Sequence, residues 1–131
     1  MAESRRTLII AAILLMIATA LGAFGTHGLK PVLSPERFES FQTGVTYQFF
    51  HSLGLLAIGV LQRDPRFEGP RLRVAVRVML LGILLFSGTI YALTAGAPRT
   101  LAMVAPFGGF SLMLAWLLFA WAVSRSTSAQ G

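Results

Sequence analysis

Four long apolar segments dominate the chain, and the short segments between them hold most of the charged residues. They lie at about residues 7–29, 38–62, 72–96 and 100–124. Each exceeds the ~20 apolar residues that a helix needs to cross the ~30 Å hydrocarbon core of a bilayer. None shows the alternation of apolar and polar positions that a transmembrane β-strand requires. The pattern therefore predicts an all-α polytopic membrane protein, with four transmembrane helices in one antiparallel bundle and a single domain.

Proline, glycine and capping residues mark where these helices begin and end. The sequence SPE at 34–36 has an N-cap residue, a proline at the first helical position and an acid near the positive helix end, so helix two is predicted to start there. The sequence GP at 69–70 opens helix three in the same way, and Gly96 with Pro98 closes it. The connections are short, which predicts that consecutive helices from two to four are antiparallel neighbours.

The fourth segment contains a helix-breaking sequence, APFGG at 105–109. Proline removes a backbone donor and two glycines weaken the next turn, so this helix is predicted to be kinked or broken near Pro106. Either it begins at Thr100 and bends at Pro106, or Pro106 is its first residue. A broken helix can mark a binding site in a transporter, but an ordinary kink is favoured. The small polar residues 125–131 are predicted to form a disordered cytoplasmic tail.

The first segment has one alternative interpretation, a cleaved signal peptide. Arg5 and Arg6 precede its apolar run, which ends in the small-residue sequence ALGA at 20–23. The run is long for an export signal and three further segments follow it. An uncleaved first helix is therefore favoured.

Basic residues are unequally divided between the two ends of the predicted bundle. Eight of the 11 Lys and Arg side chains lie before helix one, between helices two and three, at the start of helix three or after helix four. The opposite end holds only Lys30, Arg37 and Arg99. Because basic loops resist translocation, both termini and the middle loop are predicted to be cytoplasmic.

The formal net charge of +6 and the isoelectric point near 11.4 would suggest nucleic-acid binding in a soluble protein. Here topology accounts for most of the basic residues, and no nucleic-acid partner is expected. The middle of the chain could also hold anionic lipid headgroups, although a role in topology is the favoured interpretation. The candidate headgroup residues are Arg63, Arg66, Arg71, Arg73 and Arg77.

The residue types of catalytic and metal sites are poorly represented. The chain has no cysteine, and its two histidines lack a third ligand, so no metal or cofactor is predicted. Every Asp and Glu lies in a terminus, a loop or an interfacial helix end, and the usual combination of nucleophile, base and orienting acid is missing. An enzyme is therefore not expected.

Polar side chains inside the apolar segments are the best candidates for function, because they are costly in a membrane unless they pair or face the bundle interior. Tyr47, Gln48 and His51 are three or four residues apart on helix two, which places them on one part of its surface. With His27 at the end of helix one, they could form a ligand or proton site. The favoured interpretation is hydrogen bonding between helices, at ~0.6 to 2 kcal/mol per contact.

Small residues supply a packing signal, because glycine lets helix backbones approach closely. They lie along one part of helix one, recur on helix two at Gly54 and Ala57, and extend into helix three. The candidate packing or kink residues are Gly22, Gly25, Gly28, Gly88, Pro106, Gly108 and Gly109.

Four separated motifs resemble those of one known family. They are GAFGTHGL at 22–29, TGVTYQ at 43–48 followed by His51, LFSGTIY at 85–91, and APFGG at 105–109 followed by Trp116. In this order they look like the domain-of-unknown-function 423 family of small bacterial inner-membrane proteins with four predicted helices. Thr26 stands where alanine is common in that family and Thr89 where serine is common, and neither change removes a distinctive group. The resemblance implies a bacterial inner-membrane protein and brings no biochemical activity with it.

The family motifs coincide with the polar and glycine-rich positions, which suggests one shared pocket facing the exterior. Its lining residues would be His27, Tyr47, Gln48, His51, Ser87 and Tyr91. Two classes of function follow. The favoured one is a structural or interaction component that packs in a homo-oligomer or beside a larger membrane complex. The alternative is a small transporter, channel or ligand-binding protein that uses this cluster, and a pore would require a homo-oligomer because four short helices enclose little volume.

Overall fold

The chain folds into four long helices, which confirms the predicted all-α class. The computed structural model describes residues 1–67 and 69–126. The helices are α1 (Ala2–Leu29), α2 (Pro35–Leu61), α3 (Pro70–Thr94) and α4 (Arg99–Ser124), and this part of the chain contains no β-strand. With 25 to 28 residues each, at about 1.5 Å per residue, all four exceed the ~30 Å thickness of a hydrocarbon core.

The helix starts follow the punctuation of the sequence. The Ser34 hydroxyl accepts a hydrogen bond from the backbone N–H of Arg37 at 3.4 Å, and Pro35 occupies the first turn of α2. α3 starts at Pro70, directly after Gly69, whose φ of 153° is rarely adopted by a residue with a side chain. Local signals thus set both boundaries.

The two ends of the chain differ from the predicted boundaries. α1 begins at Ala2 instead of near residue 7, because its polar first turn is itself packed: the hydroxyl of buried Ser4 donates to the carbonyl of Gly59 at 2.7 Å. At the other end, the backbone N–H of Arg125 still donates to the carbonyl of Trp121 at 3.2 Å. Residues 127–131 of the predicted tail lie outside the described residues.

Short turns of other helix types interrupt three of the helices. α1 ends with a π-helical turn, Gly25–Leu29, and α3 contains another, Leu84–Gly88. α4 starts as a 3-10 helix, Arg99–Val104, and becomes α-helical at Ala105 with Pro106 in the first turn. The predicted interruption near Pro106 is confirmed and takes the form of a change in helix type, because proline lacks the N–H that an α-helix interior needs.

α1 packs on α2, and α4 packs on α3, through small residues that repeat every seven positions. In α1 the buried small residues are Ser4, Ala11, Ala18 and Gly25. In α4 they are Gly108, Ala115 and Ala122. A seven-residue repeat keeps one face toward a partner helix, and small side chains let the two backbones approach closely. The two hairpins are joined where α2 packs on α3.

The apolar core lies between the two hairpins. Leu55 and Ile58 of α2 and Met79 of α3 are fully buried, and Leu112 of α4 packs with them. The outer faces of α1 and α4 are also apolar and expose long side chains, from Ile9 to Phe24 in α1 and from Met103 to Val123 in α4. Surfaces of this kind suit lipid, which offers no hydrogen bonds and favours apolar contact.

Candidate functional site

The structure brings together five of the six polar residues predicted to form a site. We refer to them as the polar cluster, which consists of Tyr47, Gln48, His51, Ser87 and Tyr91. The cluster lies between α2 and α3 and contacts α1 and α4 at its edges. Gln48 and His51 lie near the middle of α2, deeper in the bundle than the predicted exterior position.

The side chain of Gln48 links three helices. Its Nε2 donates to the backbone carbonyl of Leu14 in α1 at 2.8 Å. Its Oε1 accepts a hydrogen bond from the hydroxyl of Tyr91 in α3 at 2.6 Å. Gln48 is only 2% exposed, so water competes little for either bond. Both ends of the amide are therefore occupied inside the protein.

The π-helical turn of α3 carries a second contact of the cluster. Ser87 is 1% exposed, and its hydroxyl donates to the carbonyl of Gly44 in α2 at 2.7 Å. Gly44 permits this approach, because a Cβ at that position would lie 3.0 Å from the side chain of Ile90. On its other side the same turn touches α4, where Gly108 packs directly on the backbone of Phe86. The turn is thus held between two helices.

His51 makes its hydrogen bond within α2. Its Nδ1 lies 2.6 Å from the carbonyl of Tyr47, and because a carbonyl only accepts, Nδ1 carries the proton. None of the described residues forms a hydrogen bond with Nε2. The imidazole lies between two aromatic rings, with centroid distances of 5.8 Å to Tyr47 and 6.0 Å to Trp116. The imidazole of His51 therefore packs against aromatic side chains of α2 and α4 inside the bundle.

Aromatic side chains extend the cluster toward the end of α1. The ring of Tyr47 stacks on that of Phe86 at a centroid distance of 4.5 Å and an angle of 25°. Phe41 lies 5.7 Å from the ring of Tyr91 and packs against Gly25 in α1. Apolar ring contacts therefore enclose the hydrogen bonds on the α3 side.

His27 does not join the polar cluster. It is exposed in the π-helical turn that ends α1. The register of the first hairpin places Leu14 beside Gln48, and His27 lies 13 residues further along α1, which corresponds to about 20 Å. The alternative in which His27 and His51 approach each other in one pocket does not agree with this register.

Serine-to-carbonyl bonds join the other helix pairs, and the sequence interpretation missed them. Ser4 connects α1 to α2, and Ser111 of α4 donates to the carbonyl of Val78 in α3 at 2.8 Å. With Ser87, each pair of consecutive helices therefore has one such bond. Ser4 belongs to the seven-residue repeat of small residues in α1, and that repeat is the sequence signal that would have identified it.

The predicted packing glycines differ in their surroundings. A Cβ on Gly25 or Gly108 would collide with a neighbouring helix. The others meet only ordinary contacts or their own helix: Gly22, Gly28, Gly88 and Gly109. Further tight approaches occur at Gly59, which faces Leu8, and at Gly82, which faces Leu112. The rotation of each helix about its axis, more than its glycine content, therefore decides which glycines contact a neighbouring helix.

Two cavities lie at opposite ends of the bundle, away from the polar cluster. One, of about 790 Å³, lies between the start of α2 and the end of α3. There the guanidinium of Arg37 donates to the carbonyls of Leu93 and Thr94, at 3.3 and 3.2 Å, and so caps α3. The other, of about 540 Å³, lies between the start of α3 and the end of α4. No group of three His, Asp or Glu side chains suited to a metal ion occurs among residues 1–67 and 69–126.

The fold and the site define a class, that of small integral membrane proteins built from four helices with a polar cluster between them. A family model described as "Protein of unknown function (DUF423)" matches residues 21–109. The chain belongs to this family, as its motifs predicted.

Relatives of the chain are named membrane proteins in several bacteria. The "UPF0382 inner membrane protein YgdD" of Escherichia coli is 38% identical over 121 residues, covering 88% of this chain and 86% of the relative. A "UPF0382 membrane protein" of Haemophilus influenzae is 36% identical over 110 residues, covering 83% and 86%. The "UPF0382 membrane protein YwdK" of Bacillus subtilis is 33% identical over 111 residues, covering 85% and 89%. No solved structure matches the chain. These names establish a membrane protein and indicate no specific activity.

Proposed function

We propose that the protein is a non-enzymatic structural or interaction component of the bacterial inner membrane, which packs as a homo-oligomer or beside a larger membrane complex. The main support is the side chain of Gln48, whose amide nitrogen and oxygen are both bonded to neighbouring helices. A ligand site would leave a polar atom directed at a cavity, whereas these atoms hold α1, α2 and α3 together. Through Gln48, the polar cluster therefore stabilises the packing of the helices in the bundle.

The outer helices support an interaction role. In the most apolar stretches of α1 and α4 only 17% of residues are buried inside the chain, against 50% for α2. Large side chains such as Met16, Phe107 and Leu117 are exposed there. These faces offer long apolar surfaces to lipid and to other transmembrane helices, whose association depends on close packing.

Native mass spectrometry of gently extracted protein tests this function. We expect multiples of the 14.1 kDa chain, or a complex with another membrane protein, in addition to bound lipid. The matched variants are His51→Leu, inside the cluster, and His27→Leu, at the exposed end of α1. A recurrent non-lipid mass that disappears in His51→Leu but remains in His27→Leu would contradict the proposal and favour a ligand-binding protein.

We extend the proposal to topology, with both termini and the α2–α3 loop in the cytoplasm. The excess of basic residues at that end supports this orientation. The name of the E. coli relative, an inner membrane protein, supports the choice of membrane. Because the chain has no cysteine, single-cysteine variants carry one label each.

Labelling of spheroplasts with a membrane-impermeant maleimide measures this topology. Val32→Cys, at a position 74% exposed in the α1–α2 connection, is expected to react in intact spheroplasts. Ala2→Cys and Ser126→Cys are expected to react only after lysis. The reverse pattern would show that the termini lie outside.

A further inference from the structure

The cavity of about 540 Å³ is a groove whose polar lining consists mainly of arginines from three separate segments of the chain. Arg66 comes from the α2–α3 connection, Arg71 from the first turn of α3 and Arg125 from the end of α4. The sequence alone predicted the first two among five candidate arginines but not Arg125. Only the packing of α3 on α4 brings Arg125 to the same groove.

Two of the three guanidinium groups are held in place by neighbours. The guanidinium carbon of Arg71 lies 5.1 Å from the centroid of the Trp121 ring, a cation–π contact. Arg66 forms a salt bridge with Asp64, in which the shortest N–O distance is 2.6 Å. The hydrogen bonds from Arg66 favour the charged form of Asp64 and so lower its pKa. Arg66 is thus already balanced, and Arg71 and Arg125 supply the excess positive charge.

The charge of the surrounding loop does not cancel this excess. Between residues 63 and 73 the chain has four arginines against the acids Asp64 and Glu68. No carboxylate occurs among the described residues that line the groove. Guanidinium groups match the geometry of phosphate oxygens, which they can bind with two parallel hydrogen bonds.

The floor of the groove is apolar. Phe67, Leu72 and Ala122 form this floor, and Leu72 and Ala122 are buried. Trp121 at the same level suits a membrane interface, where tryptophan is enriched. A free phosphate ion would gain nothing from the apolar lining. A lipid can place its phosphate on the arginines and its acyl chains along the exposed face of α4.

We infer that this groove binds the phosphate of an anionic phospholipid headgroup, with Arg71 and Arg125 as the binding residues and Arg66 at the rim. The positive excess disfavours zwitterionic lipids, because their ammonium group would meet the same guanidiniums. Lipid binding in this groove does not depend on the proposed packing role. The groove lies at the start of α3, whereas the polar cluster bonds to Ser87 and Tyr91 near its other end.

Lipid retention in native mass spectrometry tests the inference, with the full chain in micelles containing equal amounts of phosphatidylglycerol and phosphatidylcholine. We expect preferential retention of phosphatidylglycerol. The double variant Arg71→Gln/Arg125→Gln should lower that retention about thirtyfold, as expected for two basic residues that each contribute ~1 kcal/mol. Arg66→Gln should have a smaller effect because Asp64 already balances its charge.

The matched control is Arg5→Gln/Arg6→Gln, which removes the same charge at the same end of the bundle but outside the groove. Because Arg5 and Arg6 do not line the groove, this control should lower retention less than the groove variant does. Equal losses in the two double variants would overturn the inference in favour of diffuse surface charge. Binding of inorganic phosphate with no preference between the lipids would overturn it in favour of a free anion. If the glutamine variant fails to fold, Arg71→Lys/Arg125→Lys keeps the charge and should retain phosphatidylglycerol at an intermediate level. Unchanged retention in the lysine variant would exclude arginine-specific phosphate binding.

Discussion

Replacing Gly108 by alanine is expected to lower the free energy of unfolding by about 3 kcal/mol, the upper part of the range for overpacked sites. The new Cβ would overlap the backbone nitrogen of Phe86 and lie 2.7 Å from the carbonyl carbon of Leu85. Both are backbone atoms of α3, so no side-chain rotation can relieve the overlap. α3 and α4 would have to separate at the π-helical turn that also carries Ser87, and the bond from Ser87 to Gly44 would weaken with it.

Unfolding of the purified protein by sodium dodecyl sulfate in mixed micelles measures this effect. Trp116 and Trp121, both in α4, report the transition through their fluorescence. Gly109→Ala is the matched control, because the nearest atom to its added Cβ is 4.0 Å away. Its stability should change by less than about 1 kcal/mol, and in the stabilising direction, since alanine favours helix over glycine. Equal destabilisation by the two substitutions would contradict the close approach at Gly108.

The helices and their ends could be predicted because they depend on local signals. Apolar length decides that a segment spans a membrane, and the proline and capping residues at 34–36 and 69–70 set the helix starts. Pro106 marked the change of helix type in α4 for the same reason, since the missing N–H is a property of that residue alone. The polar first turn of α1 lies outside the apolar pattern, and its contact between Ser4 and Gly59 joins distant residues, which local signals do not reveal.

Register and rotation could not be predicted, because they depend on contacts between distant residues. Gly108 and Gly109 look equivalent in the sequence, yet only Gly108 packs tightly against the backbone of α3. His27 and His51 were both candidates for one site, but the first hairpin pairs Gln48 with Leu14 and leaves His27 about 20 Å further along the helix. A hydrophobic pattern shows that two helices are neighbours but not which residues stand opposite each other.

The polar cluster was predicted in part for a physical reason. Spacing of three and four residues puts Tyr47, Gln48 and His51 on one part of α2 whatever the partner helix is. The acceptors could not be found, because Leu14 and Gly44 accept through backbone carbonyls, which every residue has. Side-chain identity therefore located the donors and left their partners undefined.

Replacing Gln48 by leucine is expected to cost about 2 kcal/mol of unfolding free energy, because it removes two hydrogen bonds between helices in one step. Leucine fills a similar volume, so cavity formation contributes little. The carbonyl of Leu14, inside α1, loses only the hydrogen bond that Gln48 donates to it in addition to the helix bond. The hydroxyl of half-buried Tyr91 loses the acceptor of its hydrogen bond. The same dodecyl sulfate titration measures the loss.

A double-mutant cycle shows whether this energy belongs to the bond between Gln48 and Tyr91. Gln48→Leu/Tyr91→Phe should cost less than the sum of the single substitutions by about 1 kcal/mol, since each single change already breaks that bond. Gln42→Leu, at an exposed position six residues earlier on α2, should have no measurable effect. Additive single substitutions would show that the bond contributes nothing to folding. If Gln48→Leu left stability unchanged but abolished oligomer formation or partner binding, the amide would act in recognition. The bundle would then be held by its apolar core, its serine bonds and its small-residue packing.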